Sequence, residues 1–114
     1  MVVQRGEIWW AALPDPAGSE PGYRRPMLIV QSDVFTQSTI RTVVCAAMTS
    51  NLHLGAAPGN VRVAARTSGL PKPSIVNVSQ VAAIDRTFLK ERIKTLDART
   101  MHQVDDGLRL VLNL

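Results

Sequence analysis

The chain has 114 residues, the usual length of one domain, and its 46% hydrophobic content is enough for a small buried core. No run of about 18 apolar residues and no signal-peptide pattern is present, which argues against a membrane-spanning helix and favours a cytoplasmic protein. A single cysteine excludes an internal disulfide framework, and so small a core would gain stability from a partner subunit.

Basic residues are concentrated in the middle of the chain. The formal net charge is +4, and the segment 34–84 has no acidic residue but four basic ones: Arg41, Arg62, Arg66 and Lys72. Phosphates favour such a segment, because lysine and arginine release the counterions of a nucleic acid. The pattern predicts a polyanionic partner; the alternative is a solvated surface of mixed strands.

The first half of the chain reads as strands joined by loops. A Pro/Gly/Ser-rich loop over residues 14–25 is long for so small a domain, which indicates a functional role. Asp33 is predicted to cap a short helix ending near Thr36. Aromatic and continuous apolar runs predict three strands, at residues 5–13, 27–30 and 42–48.

The second half is predicted to contain short strands and one final helix. A loop covers residues 49–60, a turn lies at 69–73, and strands are expected near 61–64, 75–78 and 81–84.

The final segment has helical periodicity. After Asp97, a plausible N-cap, apolar residues follow at spacings of three and four, which predicts an amphipathic helix. Gly107 weakens this helix by about 1 kcal/mol relative to alanine, so packing must hold it. The apolar positions are Met101, Val104, Leu108, Val111 and Leu112.

Motifs for metals and nucleotide cofactors are absent from the sequence. There is no CxxC, HExxH, phosphate-binding loop or dinucleotide motif, so neither a metal nor a cofactor is predicted. His53, on a loop after a buried strand, is a candidate acid or base, with a surface role as the alternative. Cys45 lies in an apolar run and is interpreted as a small buried hydrophobe.

Polar side chains occur at the ends of two predicted apolar strands. Arg24 and Arg25 precede one strand, and Thr49, Ser50 and Asn51 end another. Polar groups beside a hydrophobic strand are costly unless they meet partners or a ligand. An arginine and a threonine brought together there would suit a phosphodiester.

With these features the sequence resembles the MazF/PemK family of toxin endoribonucleases, and the resemblance runs nearly from end to end. Five segments carry it in order: RGEIWWAAL, the GSEPGYRRP loop before an apolar strand, AAMTSN, SIVNVSQVAAID and the closing MHQVDDGLRLVLNL. A single RP or TS dipeptide would carry no weight, but five segments within 114 residues are specific.

The resemblance implies a fold and a set of partners. The fold is a mainly β, SH3-like barrel over residues 1–114 as a single domain, with short helices and a C-terminal amphipathic helix. The implied activity is sequence-specific, metal-independent cleavage of single-stranded RNA by a homodimer. A MazE-like antitoxin with an acidic C-terminal tail is the implied inhibitor.

The resemblance also assigns roles to residues. Arg25 and Thr49 match the family's catalytic arginine and threonine, Ser19 and Glu20 match a loop bordering the active site, and Gln80 matches a position on an adjacent strand. Some relatives carry an arginine and an acid where this chain has Asn77 and Ser79, so no carboxylate base is available there. The RNA-binding candidates are Ser19, Glu20, Arg24, Ser50, Asn51, His53, Asn77 and Gln80.

RNA supplies its own nucleophile in the 2′-hydroxyl, so alignment and charge stabilisation are the protein's main tasks. Arg25 suits charge stabilisation better than proton transfer, because a guanidinium pKa above about 12 is poorly matched to neutral pH. Thr49 suits positioning, since no adjacent base activates it. The base that deprotonates the 2′-hydroxyl stays open among His53, Glu20 and water.

For some residues, and for the function of the protein, alternative interpretations stay open. Arg24 suits a phosphate contact or a surface charge equally, and of Trp9 and Trp10 one is expected in the core, with base stacking as the alternative. A CcdB-like gyrase-binding poison and a non-catalytic RNA-binding module are the competing functions. The tail Leu112-Asn113-Leu114 lacks the tryptophan-containing end of the gyrase-binding branch, which favours the nuclease.

Overall fold

The computed structural model describes residues 2–14 and 23–114. Those residues form one antiparallel sheet in the order β4-β5-β3-β2-β1-β6, curled into a half-barrel. The strands are β1 (Glu7–Leu13), β2 (Tyr23–Ile29), β3 (Thr42–Thr49), β4 (Val61–Val63), β5 (Ser74–Asp85) and β6 (Leu89–Thr95).

In these two described ranges, three helices accompany the sheet: α1 (Asp33–Thr36), α2 (Ala65–Ser68) and α3 (Ala98–Leu112). Single 3₁₀ turns occur at Leu52–Ala56 and Arg86–Phe88. Within the described part of the chain, no helix has the length and apolar character needed to cross a membrane. The mainly β architecture with a C-terminal helix confirms the predicted fold class.

Both faces of the sheet carry core residues, because alternate side chains of a strand point to opposite faces. Residues of the first face pack against α3 and the β4–α2 segment, and those of the second face pack against one another and against Val3 and Phe88. The first face includes Ile8, Leu28, Ala46, Met48 and Val76; the second includes Trp9, Met27, Cys45, Ala47 and Leu89.

Helix α3 begins as predicted at Asp97, whose carboxylate accepts a 3.0 Å hydrogen bond from the Thr100 N–H. Thr100 thereby holds the pKa of Asp97 below its usual value. Met101 and Val104 are buried, whereas Leu112, on the predicted apolar face, is exposed. The helix therefore covers the sheet with its first half.

Gly107 lies where α3 touches the chain before β4. A Cβ atom at Gly107 would lie 2.1 Å from the carbonyl oxygen of Gly59. Only a residue without a side chain permits this approach, which explains a glycine that lowers helix propensity.

Strand β2 begins earlier than predicted. The loop was expected to reach residue 25, but Tyr23, Arg24 and Arg25 belong to the strand and pair with β1. Because the β2–β3 pairing begins only at Met27, the first part of β2 is hydrogen-bonded to β1 alone. Pro26, which lacks an N–H, is tolerated at such an edge position.

Two further local predictions were wrong. The strands expected at 75–78 and 81–84 are one strand, β5, whose pairing with β3 shifts between Ala46 and Ala47. Asp33 does not cap α1; the N-cap is Ser32, and the Asp33 carboxylate accepts a 2.7 Å hydrogen bond from the Arg5 N–H. The backbone of a neighbouring segment thus competes for the predicted cap.

Candidate active site

Arg25 and Thr49 lie on neighbouring strands at the same end of the sheet. The antiparallel register pairs Met27 with Ala47, and continued by two residues it brings Arg25 opposite Thr49. Both side chains then belong to the second face, because each lies two residues from a core residue of that face. The two residues, 24 positions apart in the sequence, therefore share one face of the sheet.

Asn77 belongs to the same face on the next strand. It pairs with Ala47, and the β3–β5 register also pairs Thr49 with Ile75, so Asn77 lies diagonally from Thr49. Its side-chain oxygen accepts hydrogen bonds from the Ser79 N–H and hydroxyl, at 3.3 and 2.8 Å. Gln80 follows in the irregular part of β5, before the pairing resumes at Val81.

The Arg25 guanidinium is half-buried, and its Nε atom is fully buried. Among the described residues this Nε has no hydrogen-bond partner. A buried charged donor left without a partner is costly, and such groups in proteins commonly await a ligand, water or ion. An anion bound at this strand end would be one way to satisfy this donor.

Arg24 lies on the opposite face of β2 from Arg25. Its guanidinium carbon is 4.6 Å from the centroid of the Trp10 ring, a cation–π contact. Trp10 is half-buried against the first face, whereas Trp9 is buried in the second and donates to the Glu7 carboxylate at 3.1 Å. The expectation that one tryptophan belongs to the core is confirmed for Trp9.

The segment after β3 is held by a chain of local hydrogen bonds. The Thr49 hydroxyl oxygen accepts from the Asn51 N–H at 3.1 Å, and the Asn51 side-chain oxygen accepts from the His53 N–H at 3.2 Å. Ser50, Asn51 and His53 are all exposed. His53 thus lies four residues after Thr49 on an exposed 3₁₀ turn.

Asn60 connects this segment to β5. Its amide nitrogen donates to the Leu54 carbonyl, and its amide oxygen accepts from the Val78 N–H, both at 2.9 Å. The sequence analysis did not single out Asn60. Its position just after a Pro-Gly turn signal was the only hint available.

Two of the predicted site residues, Ser19 and Glu20, lie outside the described residues. On either side of the undescribed segment, the Tyr23 N–H donates a 3.4 Å hydrogen bond to the Pro14 carbonyl, where the chain passes from β1 to β2. Within residues 2–14 and 23–114 there is no group of three or more histidine, cysteine, aspartate or glutamate residues placed to hold a metal ion.

A cavity of about 210 Å³ lies beside Thr49 at the first face. Sequence reasoning missed it, because its lining comes from β1, β2, β3 and the turn before β5. The lining residues are Trp10, Pro26, Met48, Thr49, Ser50, Leu70, Pro71, Lys72 and Ser74.

The basic residues of the middle segment do not form one cluster. Arg41 precedes Thr42, which pairs with Asp85 at the end of β3 away from Thr49. Strand β3 has eight residues, so its two ends are about 23 Å apart. Lys72, by contrast, lines the same cavity as Thr49.

Cys45 is fully buried in the second face, as predicted. Burial raises the pKa of its thiol to about 12. The residue is therefore a thiol at neutral pH, and a nucleophilic role has no support.

Comparisons with known proteins identify the family and the fold. Residues 4–112 match the family described as the PemK-like, MazF-like toxin of type II toxin-antitoxin system. Endoribonuclease MazF6 of Mycobacterium tuberculosis is 47% identical over 114 residues, covering 100% of both chains.

Solved structures show the same fold. A crystal structure of MazF from Deinococcus radiodurans superimposes with a TM-score of 0.83 at 22% identity, covering 100% of this chain and 99% of the other. An endoribonuclease in complex with its cognate antitoxin, from a mycobacterial species, has a TM-score of 0.80 at 19% identity, covering 98% of this chain and 96% of the other.

The family match over residues 4–112 and the endoribonuclease relative at 47% identity, together with the shared fold, place the chain among the RNA-cleaving toxins. The chain belongs to the PemK-like, MazF-like family of type II toxin–antitoxin toxins. The family resemblance inferred from its sequence is thereby confirmed.

Proposed function

We propose that this protein is a sequence-specific, metal-independent endoribonuclease that cleaves single-stranded RNA. The main support is the position of Arg25 and Thr49 two residues beyond the Met27–Ala47 pair, on neighbouring strands and, by alternation, on one face of the sheet. The buried Nε of Arg25, which has no hydrogen-bond partner among residues 2–14 and 23–114, adds a donor that a phosphate oxygen would satisfy. The endoribonuclease name of the relative at 47% identity supports the same activity.

In the proposed reaction the 2′-hydroxyl oxygen of the RNA attacks the adjacent phosphorus. The O2′–P bond forms and the P–O5′ bond breaks, giving a 2′,3′-cyclic phosphate and a 5′-hydroxyl. The proton lost by the 2′-hydroxyl goes to a base, for which His53, Glu20 and water are the candidates, and the leaving 5′-oxygen gains a proton. Atoms and charge balance without any metal.

Arg25 is assigned to charge stabilisation. Its guanidinium would donate to the nonbridging oxygens, where negative charge grows as the phosphorane forms. The half-buried setting strengthens this interaction relative to water.

Thr49 is assigned to positioning. Its hydroxyl oxygen already accepts the Asn51 N–H, so the hydroxyl hydrogen can donate to a phosphate oxygen. Asn77, on the same face, and the exposed Ser50 and Asn51 would contact the RNA on either side of this phosphate.

The partners follow from the same assignment. We propose a MazE-like antitoxin as inhibitor, whose acidic C-terminal tail would compete with RNA for the cationic strand end. We also propose a homodimer, supported by large apolar residues left exposed on the small domain, including Leu110, Leu112 and Leu114. A cytoplasmic location follows from an RNA substrate, and light scattering of the purified protein would test the dimer.

The test of the nuclease assignment uses end-labelled RNA incubated with the purified protein in EDTA. We expect defined cuts with 2′,3′-cyclic phosphate ends in the wild type. Arg25→Ala is expected to lower the rate about 10²- to 10³-fold, the usual loss for one charge-stabilising donor. Thr49→Ala is expected to lower it less, because positioning alone is lost.

Arg99→Ala serves as the matched control, because Arg99 is exposed in the first turn of α3, away from the strand end. It should cleave like the wild type. Intact RNA across many sequences would contradict the nuclease assignment. Gyrase inhibition or RNA binding without cleavage would then identify one of the two competing functions.

A further inference from the structure

The cavity beside Thr49 has the composition of a site for a planar, partly polar ligand. Its buried lining is formed by Met48, Leu70 and Ser74, and its half-buried lining by Trp10 and Pro26. The indole offers a flat aromatic surface, and the sulfur-containing and aliphatic side chains form an apolar floor. Cavities of this kind hold the ligand by apolar contact and orient it by a few polar groups.

Those polar groups lie around the opening. The exposed Ser50 lines the cavity next to Thr49, whose own side chain faces the other side of the sheet, and Lys72 is an exposed cation among the lining residues. Hydroxyls donate and accept hydrogen bonds, and an ammonium only donates. Together they suit the edge of a nucleobase, which carries both donors and acceptors.

The cavity adjoins the proposed phosphate site through the chain itself. Pro26 directly follows Arg25 in β2, and Thr49, two residues beyond the last β2–β3 pair, is also part of the cavity lining. By alternation Arg25 faces the second side of the sheet and Pro26 the first, so the two sites lie on either side of one strand end. An RNA crossing that end would carry its backbone past Arg25 and Thr49 and a base toward Trp10.

We propose that this cavity binds one nucleobase of the RNA substrate, next to the scissile phosphate, and so contributes to sequence selection. The inference rests on the proposed nuclease function and deepens it. Arg24, stacked on Trp10, fixes the indole and adds positive charge close to the entering backbone. A purely apolar side chain of a protein partner would leave the Ser50 hydroxyl and the Lys72 ammonium of the lining unused, which favours a base.

The experiment combines changes in the protein with changes in the RNA. The probe is a short RNA containing a cut site mapped with the wild type, in which each nucleotide flanking the cut is replaced in turn by an abasic residue. The proteins are the wild type, Trp10→Leu, Trp10→Phe and Arg99→Ala. Trp10→Phe keeps an aromatic surface, and Arg99→Ala is the control outside both sites.

We expect one abasic position to raise KM for the wild type about tenfold or more, the range of losing one base–aromatic stack. The same abasic RNA should behave almost like the intact RNA with Trp10→Leu, because the stack is already lost. Trp10→Phe and Arg99→Ala should retain the wild-type response. Such non-additivity shows that the missing base and the missing indole belong to one interaction.

Trp10 is half-buried, so thermal melting must show that Trp10→Leu is folded. Lys72→Ala, at an exposed position, provides a second variant that should weaken the same base preference by a smaller factor. Additive effects of every abasic position in both variants would overturn the proposal while leaving the nuclease intact. Loss of antitoxin binding by Trp10→Leu with additive abasic effects would assign the cavity to a protein partner and also overturn it. A wild type that cuts no RNA would instead refute the proposed function.

Discussion

Arg24 and Arg25 show how adjacent residues of one type acquire different environments. Because Tyr23–Ile29 is a strand, the two side chains leave it on opposite faces. Arg24 is exposed and stacked on Trp10, whereas Arg25 is half-buried and its Nε has no partner within the described part of the chain. Arginine suits both positions for different reasons: its flat face packs on an indole, and its fork of donors matches a phosphate.

Lysine substitutions separate these two uses. Arg25→Lys keeps the charge but loses the second donor to the phosphate, so we expect kcat to fall about ten- to a hundredfold. Arg24→Lys should leave kcat within about threefold, since it removes stacking away from the reacting phosphate. Single-turnover cleavage of the mapped RNA measures both. Equal losses in the two variants would contradict the division of roles.

Among the secondary-structure elements, α3 depends on a contact that propensity alone would disfavour. Gly107→Ala raises helix propensity by about 1 kcal/mol, but its Cβ would lie 2.1 Å from the Gly59 carbonyl oxygen. The helix must then move away from the chain before β4 and open the contact between them. We expect a net loss of about 2–3 kcal/mol in the free energy of unfolding, as for overpacked sites.

Urea unfolding followed by circular dichroism measures this loss. Gly55→Ala is the comparison, because a Cβ there would meet only the flexible end of Ile75 at 3.1 Å and the residue has no positive φ. Its effect should stay below about 1 kcal/mol. A Gly107→Ala variant as stable as the wild type would show that α3 can shift freely on the sheet.

The elements that sequence patterns predicted are those with strong periodicity. The buried strand β3 and the capped helix α3 have clear apolar signals and were predicted nearly to their ends. Strand β6 was missed because it is an edge strand whose mostly charged residues are exposed on one side, which removes the apolar signal. Two strands were predicted where β5 is continuous, with polar residues of Asn77–Gln80 at the junction. In the structure this stretch marks a shift in the β3–β5 register.

The candidate site was likewise predictable from the sequence only in part. Arg25 and Thr49 were found through the family resemblance, and their alignment needed the β2–β3 register, which no sequence pattern contains. The cavity could not be predicted, because it is assembled from four separate segments that meet only in the folded sheet.

At the scale of the whole molecule, the net charge of +4 overstates the charge available at the cleavage site. The middle segment contributes four cations, but Arg41 lies at the opposite end of β3 from Thr49. Three cations belong to the proposed RNA path: Arg24, Arg25 and Lys72. The number of phosphates neutralised should therefore be small despite a sequence pI near 10.0.

The salt dependence of RNA binding measures that number directly. For single strands, log K falls with log salt by about 0.7 per neutralised phosphate, so three contacts predict a slope of about −2. Fluorescence anisotropy can follow binding of a mapped RNA made uncleavable by a 2′-O-methyl group at the cut nucleotide. Lys72→Ala should make the slope shallower by about 0.7, whereas Arg41→Ala should leave it unchanged. A slope near −4 that Arg41→Ala also reduces would mean that RNA follows the whole length of β3, and the path would then have to include the far end of the sheet.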